Sequence, residues 1–208
     1  QSSGLPVLRQ LAKFDLAKDT EFNKLLPSLA PRLDYDQQFA NSLKRRPTVL
    51  GYYFNHDNEN RYGALPAPVM PASALHDQGD ALGDETGFGA NLSLFMQSAA
   101  GAGHFVPSPD SDGITRRVQM LLRYQGQLYE PLSLALVRAY LDFPPLQPVY
   151  PPDSKAGDAY SSFERLQVGP LSIPVDSAGR ALVPFRGPAY SFPYFSVADV
   201  LSGQVPAD

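Results

Sequence analysis

Residues 101–124, GAGHFVPSPDSDGITRRVQMLLRY, determine how the rest of the chain is organised. Asp110 and Asp112 can each accept hydrogen bonds from backbone N–H groups two residues on, and Gly113 can adopt the positive φ that closes such a turn. From Arg116 to Tyr124 the residues alternate with period two, which predicts a half-buried strand with a mostly polar outer face. This parity directs Arg116 toward the core. Because a buried cation needs a partner, we expect it to pair with Asp110 or Asp112.

Composition limits the classes of function. The chain has 208 residues, of which 43% are hydrophobic, enough for a substantial core. The net charge is −4 and the longest basic run is three residues, which argues against nucleic-acid binding and a polybasic membrane patch. The chain has no cysteine, which excludes disulfides and thiolate chemistry. No apolar run approaches the ~18 residues of a membrane span. The first residues do not resemble a secretory signal, so we expect an excised piece of a longer protein.

Helical periodicity dominates the first third. Apolar residues recur at helical spacing before Pro31 interrupts them, and a clearer helix follows over residues 34–46. Asp34 or Asp36 is a suitable N-cap for that helix. Residues 48–54, TVLGYYF, are β-branched and aromatic and predict a buried strand.

Periodicity then disappears. Residues 55–91 are rich in glycine, proline and aspartate and predict one long irregular loop. A short helix is predicted over residues 92–100, with Asn91 as its cap and Gly101 as its end.

The second half alternates hairpins with one helix. Gln125-Gly126 predicts a tight turn that returns Leu128 and Tyr129 along Arg123 and Leu122. Residues 130–141 have helical spacing, and residues 144–152 predict a proline-rich extended connector.

The last third predicts a β-meander. Gly169-Pro170 predicts a two-residue turn that pairs Val168 with Leu171, and Asp176 with Gly179 predicts the next reversal. Residues 181–185 predict the following strand, and Ser196 with Asp199 predicts a capping box for a last helix. The fold class is therefore α/β (mixed α+β), a mixed sheet with antiparallel hairpins flanked by helices and one long irregular loop.

Candidate catalytic motifs are weak. His56, His76 and His104 lie in predicted loops without a metal-binding spacing, so solvated histidines are the favoured interpretation. The Asp110-x-Asp112-Gly113 segment departs from a calcium loop, because Ile114 and Thr115 stand where an oxygen ligand and a glycine are required. Nucleotide-binding glycine motifs and nucleophile elbows are absent from the sequence. We predict no catalytic residue, no metal and no cofactor.

Several segments together resemble one known family. Residues 103–113 followed by Arg116-Arg117 resemble the central motif of the second type of CHASE domain. Other resembling segments follow in the family's order: residues 36–43 with 49–54, residues 131–136, residues 173–176 with Gly179 and residues 185–188, and residues 192–203. The resemblance covers residues 34–205 and is closest to the versions attached to class III nucleotide cyclases. The family's first and last strands and its flanking membrane helices lack counterparts, so we expect residues 1–208 to be one sensor domain, the middle of a longer one.

The resemblance implies a bacterial extracytoplasmic (periplasmic) sensor domain that signals through membrane helices to a cytoplasmic adenylate or guanylate cyclase. We place the receiving surface at residues 55–91 together with the turn at residues 110–117. We expect an unknown small-molecule or protein stimulus, no nucleic acid, and a possible homodimer. Two alternatives remain: a dimerisation module that senses nothing, and a metal-dependent hydrolase in which His104 or His56 converges with two carboxylates. The candidate ligand-binding residues are His104, Asp110, Asp112, Arg116, Arg117, Tyr53 and Asn55. The structural-motif residues are Gly113, Asp112, Arg116, Gly169, Gly179, Ser196 and Asp199.

Overall fold

The computed structural model describes residues 4–57, 60–76, 82–152, 155 and 162–205. These residues form a mixed α+β fold, which confirms the predicted class. None of the described helices is long and apolar enough to cross a bilayer. The helices are α1 (Leu5–Lys13), α2 (Thr20–Leu33), α3 (Tyr35–Leu43), α4 (Ser93–Met96), α5 (Leu132–Tyr140) and α6 (Val197–Ser202). The strands are β1 (Val49–Asn55), β2 (Arg61–Tyr62), β3 (Met70–Pro71), β4 (Asp84–Glu85), β5 (Gly87–Gly89), β6 (Gly101–His104), β7 (Arg117–Gln119), β8 (Leu122–Tyr124), β9 (Gln127–Tyr129), β10 (Leu146–Val149), β11 (Arg165–Val168), β12 (Leu171–Pro174) and β13 (Arg180–Leu182).

A four-stranded mixed sheet carries the candidate sites. Its order is β2-β5-β1-β6, and β1 runs parallel to β6 with Tyr52 opposite His104. Helix α5 packs on β6 and β1. The approach is close because Gly103 has no side chain: a Cβ there would lie 2.5 Å from the Leu132 Cα. The prediction that Gly101 ends a helix is wrong, since Gly101 begins β6. The strand is Gly-Ala-Gly-His, and its first three residues are too small to show an alternation of polar and apolar side chains.

The strand predicted from Arg116 to Tyr124 is two strands in different sheets. Strand β7 pairs with β13, whereas β8 pairs with β9 and β4. Between them the chain passes from one hydrophobic core to the other, so Leu121 is buried in the first core and Leu122 in the second. The predicted polar outer face is therefore wrong at Gln119 and Leu121. Gln119 is buried, and its amide donates to the Leu121 and Ala178 carbonyls.

The predicted long loop is partly structured. Within residues 55–91, strands β2 to β5 join existing sheets, although residues 58–59 and 77–81 lie outside the described residues. Strand β5 lies so close to β1 that a Cβ at Gly89 would lie 2.4 Å from the Tyr53 ring. Strands of two or three residues are too short to show a period, which is why the sequence predicted none.

The turns of the second half match their predictions. Gln125 and Gly126 both have positive φ (49° and 71°), and Leu122 pairs with Tyr129 as expected. Gly169, with φ of 54°, pairs Val168 with Leu171. At the next reversal the Gly179 N–H donates to the Asp176 carbonyl (2.8 Å). Residues 144–152 were predicted to be an extended connector, but part of this segment is strand β10, which pairs with β11.

The observed ends of α2, α3 and α4 agree only in part with the ends predicted from the sequence. The Asp34 side chain accepts from the Gln37 N–H (3.0 Å) and starts α3, which ends at Leu43 rather than at residue 46. Helix α2 continues through Pro31 to Leu33, so the predicted interruption is wrong. Helix α4 is shorter than predicted, and the Asn91 side chain donates to the Gly51 carbonyl instead of capping it.

The last helix has one of the two interactions of the predicted capping box. The Ser196 hydroxyl accepts from the Ala198 N–H (3.2 Å), and Gly203 ends α6 with φ of 71°. Among the described contacts the Asp199 side chain makes none with the Ser196 N–H, so only the serine half of the capping box forms.

Candidate functional site

The turn at residues 110–117 is held by its own charges. The Arg116 guanidinium donates to both Asp112 carboxylate oxygens (2.9 and 2.8 Å) and to Asp110 (3.2 Å). Arg117 donates to the other Asp110 oxygen (2.5 Å), and Gly113 closes the turn with φ of 80°. The hydrogen bonds from Arg116 and from the Ile114 N–H lower the pKa of Asp112, and the two carboxylates raise the pKa of Arg116.

The predicted pairing of Arg116 is confirmed, but its predicted burial is wrong. The Arg116 side chain is 42% exposed, because the strand proper begins only at Arg117 and the cation stays at the surface with its partners. Arg117 also lies 3.7 Å from the Asp176 carboxylate, which in turn accepts from Arg180. The turn is therefore joined to the late hairpin by a chain of ion pairs.

His104 ends β6 in a buried position. The residue is 1% exposed, its ring lies 6.2 Å from that of Phe54, and within the described part of the chain neither ring nitrogen has a partner. Burial lowers the pKa of His104 to about 3, so the imidazole is neutral at neutral pH. The predicted solvated loop histidine is therefore wrong here.

His104 and Arg117 meet at one groove, which we call the turn groove. Its volume is about 270 Å³, and it is lined by residues 104–108, Thr115, Arg117, Val118 and residues 131–133. The other five predicted site residues do not line it: Asp110, Asp112, Arg116, Tyr53 and Asn55. The Tyr53 hydroxyl contacts that of Tyr62, and the Asn55 side chain accepts from the Asp57 N–H (3.1 Å). The structure thus brings together only part of the predicted set.

A larger cleft lies beside Glu130 and the C-terminal part of α5, and we call it the Glu130 cleft. Its volume is about 500 Å³, and it is lined by residues 64–69, Ser93, Met96, Gln97, residues 99–102, Glu130, Arg138 and Phe143. Residues 64–69 belong to the predicted receiving segment, but Glu130 and Arg138 were not predicted. The only sequence signal was a carboxylate and a guanidinium at the two ends of an otherwise apolar helix.

Glu130 and Arg138 form a buried ion pair at this cleft. Glu130 is 6% exposed, and one of its oxygens, Oε1, accepts from Arg138 Nη1. Arg138 is also held by the Pro144 carbonyl, to which its Nε donates (2.9 Å). The second carboxylate oxygen, Oε2, has no partner among the described residues. Burial raises the pKa of Glu130 to about 7, although Arg138 opposes the rise.

Buried polar groups connect the two cavities. The His104 backbone N–H donates to the Glu130 carbonyl (3.0 Å), and Tyr52 lies opposite His104 in the parallel pair. The Tyr52 hydroxyl is buried without a described partner, and burial, with Tyr129 and Glu130 nearby, raises the pKa of Tyr52. Such groups leave hydrogen-bonding capacity unused in the core.

The remaining histidines do not converge with carboxylate pairs. His56 Nδ1 lies 3.7 Å from a Glu85 oxygen, and the His76 ring stacks on Tyr150 at 3.6 Å. The described residues contain no group of three potential metal ligands, the arrangement that the hydrolase alternative requires.

Comparison with known proteins gives one match. The model of the CHASE2 domain matches residues 11–208, nearly the whole chain. No curated protein and no solved structure matches the chain.

Proposed function

Because the chain belongs to the CHASE2 domain family, whose members are extracellular sensory domains, we propose that it is the signal-input domain of a transmembrane signalling protein. In this proposal the domain lies on the periplasmic side of a bacterial inner membrane. Its output passes through membrane helices to a cytoplasmic class III adenylate or guanylate cyclase. The family match over residues 11–208 is the observation that carries the proposal, and the sequence resemblance to cyclase-linked versions supports the choice of effector.

A stimulus would act by binding one conformation or one dimer arrangement better than another. A differential affinity worth about 1–3 kcal/mol is enough to change the output. The turn groove, with His104 and Arg117 on its wall, is the first candidate receiving surface, and the ion pairs from Asp110 to Asp176 would carry a shift of the turn to the late hairpin.

The test uses the full-length protein in bacterial membranes. An alkaline phosphatase reporter, which is active only outside the cytoplasm, is inserted after residue 203, past the last described helix. Membranes are then assayed for cyclic nucleotide formation with and without residues 11–208. We expect an active reporter and a cyclase rate that changes when the domain is removed. A fusion that is present in the membrane but whose reporter is inactive refutes the placement, and membranes without cyclase activity refute the effector.

One observation favours the second candidate, a dimerisation module. The segment after β13 exposes many large apolar side chains, more than a solvated tail requires. Sedimentation of this 208-residue chain tests it: a dimer that dissociates when Phe192 and Tyr194 are both replaced by serine supports assembly, whereas a monomer at all concentrations refutes it. The exposed residues are Phe185, Tyr190, Phe192, Tyr194, Phe195, Val197, Val200 and Leu201.

A further inference from the structure

We propose that the Glu130 cleft binds an uncharged, largely apolar small molecule that donates one hydrogen bond to the free carboxylate oxygen of Glu130. This inference rests on the proposed function, since it supplies a ligand class for a domain that receives a stimulus. It places that ligand away from the turn groove.

The cleft has the dimensions and walls of a small-molecule site. Its volume of about 500 Å³ lies within the range of ligand pockets. Its wall on the side of residues 64–69 is built from alanine, leucine, proline and valine, and the opposite wall carries Met96, Phe143 and the small residues 99–102. Ser93 and Gln97 also line the cleft, so a molecule entering it would remove both apolar and polar surface from water.

One acceptor at the polar end of the cleft, Glu130 Oε2, has no donor among the described residues. Glu130 Oε1 is occupied by Arg138, whereas Oε2 is buried and without a partner in the described residues. A buried acceptor that lacks a donor is unfavourable, and a ligand N–H or O–H placed there would remove that cost. Native sites commonly combine such an apolar body with one or two fixed polar groups.

The charges around Oε2 favour a neutral donor. When Glu130 is ionised, Glu130 and Arg138 together carry no net charge, and Arg138 already donates through Nη1 to Glu130 and through Nε to the Pro144 carbonyl. A ligand ammonium would add a second cation beside Arg138, and a ligand carboxylate would lie against the Glu130 oxygen. In an apolar cleft both charged ligands also lose their hydration.

Indole and 1-methylindole are matched probes for this site, because they share an apolar body and only indole has an N–H donor. The chain contains no tryptophan, so indole fluorescence can be followed with little protein background. Binding is measured at about pH 8, above the pKa of Glu130, so that the carboxyl is ionised. We expect indole to bind about tenfold or more tightly than 1-methylindole, the usual range for a hydrogen bond to a charged acceptor.

Two variants and one matched control locate the effect. In Glu130→Gln an amide N–H₂ can take the place of Oε2, so the preference for indole should fall to a ratio of about one. The same change at Glu164, which is exposed and does not line the cleft, should keep the wild-type ratio. Ala99→Leu adds volume to the wall of the cleft and should weaken both probes by a similar factor. If circular dichroism shows that Glu130→Gln does not fold, Ala99→Leu still tests whether the probes bind in the cleft, and the comparison of indole with 1-methylindole still tests the hydrogen bond.

The proposal is overturned by any of four results. These are no saturable binding of indole, equal affinity for the two probes, tighter binding of tryptamine or indole-3-acetate than of indole, and unchanged binding by Ala99→Leu. Each of them leaves the reporter and cyclase test of the proposed function unaffected, so failure of the ligand class and failure of the sensor role are distinguishable.

Discussion

Replacement of Gly103 by alanine should destabilise the protein by displacing α5 from the central sheet. A Cβ at position 103 would lie 2.5 Å from the backbone N and Cα of Leu132 and 2.6 Å from the Pro131 carbonyl carbon. Ordinary contacts of a Cβ are at 3.4–4 Å, so the start of α5 would have to move by roughly 1 Å. Because the obstructing atoms are backbone, no rotamer change can relieve the overlap.

The magnitude follows from two opposing terms. Overpacking of a tight interface costs typically about 1–3 kcal/mol, and a backbone clash belongs at the upper end. Alanine recovers about 0.5–1 kcal/mol by restricting the unfolded chain. We therefore expect a net loss of about 2 kcal/mol, or about 4–8 °C in Tm for a chain of this length.

Gly101→Ala is the matched control because Gly101 lies on the same strand, two residues earlier. Its nearest atoms are carbons of the Phe143 ring, at 3.0 and 3.2 Å, and a ring can turn aside. Thermal unfolding followed by circular dichroism should show Gly101→Ala close to wild type and Gly103→Ala clearly lower. Equal Tm values for the two variants would refute the close packing of α5 on β6.

Three further predictions concern buried and paired groups. His104→Phe should remove acid sensitivity: the folded pKa is lowered to about 3, the unfolded state binds the proton better, and stability falls as the pH drops from about 6.5 toward 3. The free energy of unfolding is measured in urea at pH 5 and pH 7. Its change between the two pH values should be about 2 kcal/mol larger in the wild type than in the variant, and equal changes would contradict the burial of His104. Asp110→Ala leaves two arginines without their shared acceptor and should lower the free energy of unfolding in urea by about 1–3 kcal/mol. Asp112→Ala, at the exposed end of the turn, should cost less. The reverse order would contradict the role of Asp110 as the acceptor shared by both arginines. Leu121→Ala empties a position with no exposed surface and should cost about 2–5 kcal/mol in free energy of unfolding. A loss below about 1 kcal/mol would contradict the burial of Leu121 between β7 and β8.

The buried side chains of Glu130 and His104 respond to pH in opposite senses. Glu130 has its pKa raised to about 7, so the folded state holds its proton better than the unfolded state and stability falls as the pH rises from about 4.5 to 7. His104 acts in the other direction between pH 3 and 6.5. Between about pH 4.5 and 6.5 the two contributions partly cancel, which is why single variants at each position report on them better than the wild-type profile.

Local chemistry was readable from the sequence. The turns at Gln125-Gly126, at Gly169 and at Gly179 depend on backbone conformations that few residues adopt, and all three form as predicted. The pairing of Arg116 with Asp110 and Asp112 joins residues only four and six positions apart, so spacing was sufficient to expect it. The ordered motifs likewise indicated the family, which the match over residues 11–208 shows.

Long-range packing was not readable in this way. The alternation of residues 116–124 predicted one strand with one wet face, but two separate cores cover Leu121 and Leu122 from different sides. Strand β6 had no recognisable pattern in the sequence, and the reason for its Gly103 is the backbone at the start of α5, which leaves no room for a Cβ. His104 is polar and follows a glycine, yet it is among the most buried residues of the chain.

The sequence alone determined the turns, the ion pairs of the central bend and the family, since each depends on residues close together along the chain or on a fixed order of motifs. Only the tertiary structure decided that Glu130 and Arg138 are buried at a cleft. The cleft is lined by residues 64–69, α4 and Phe143, which lie far from Glu130 in sequence or beyond the C-terminal end of α5. The affinity of a carboxylate for a proton or a ligand depends on that surrounding dielectric, and no local pattern of residues encodes it.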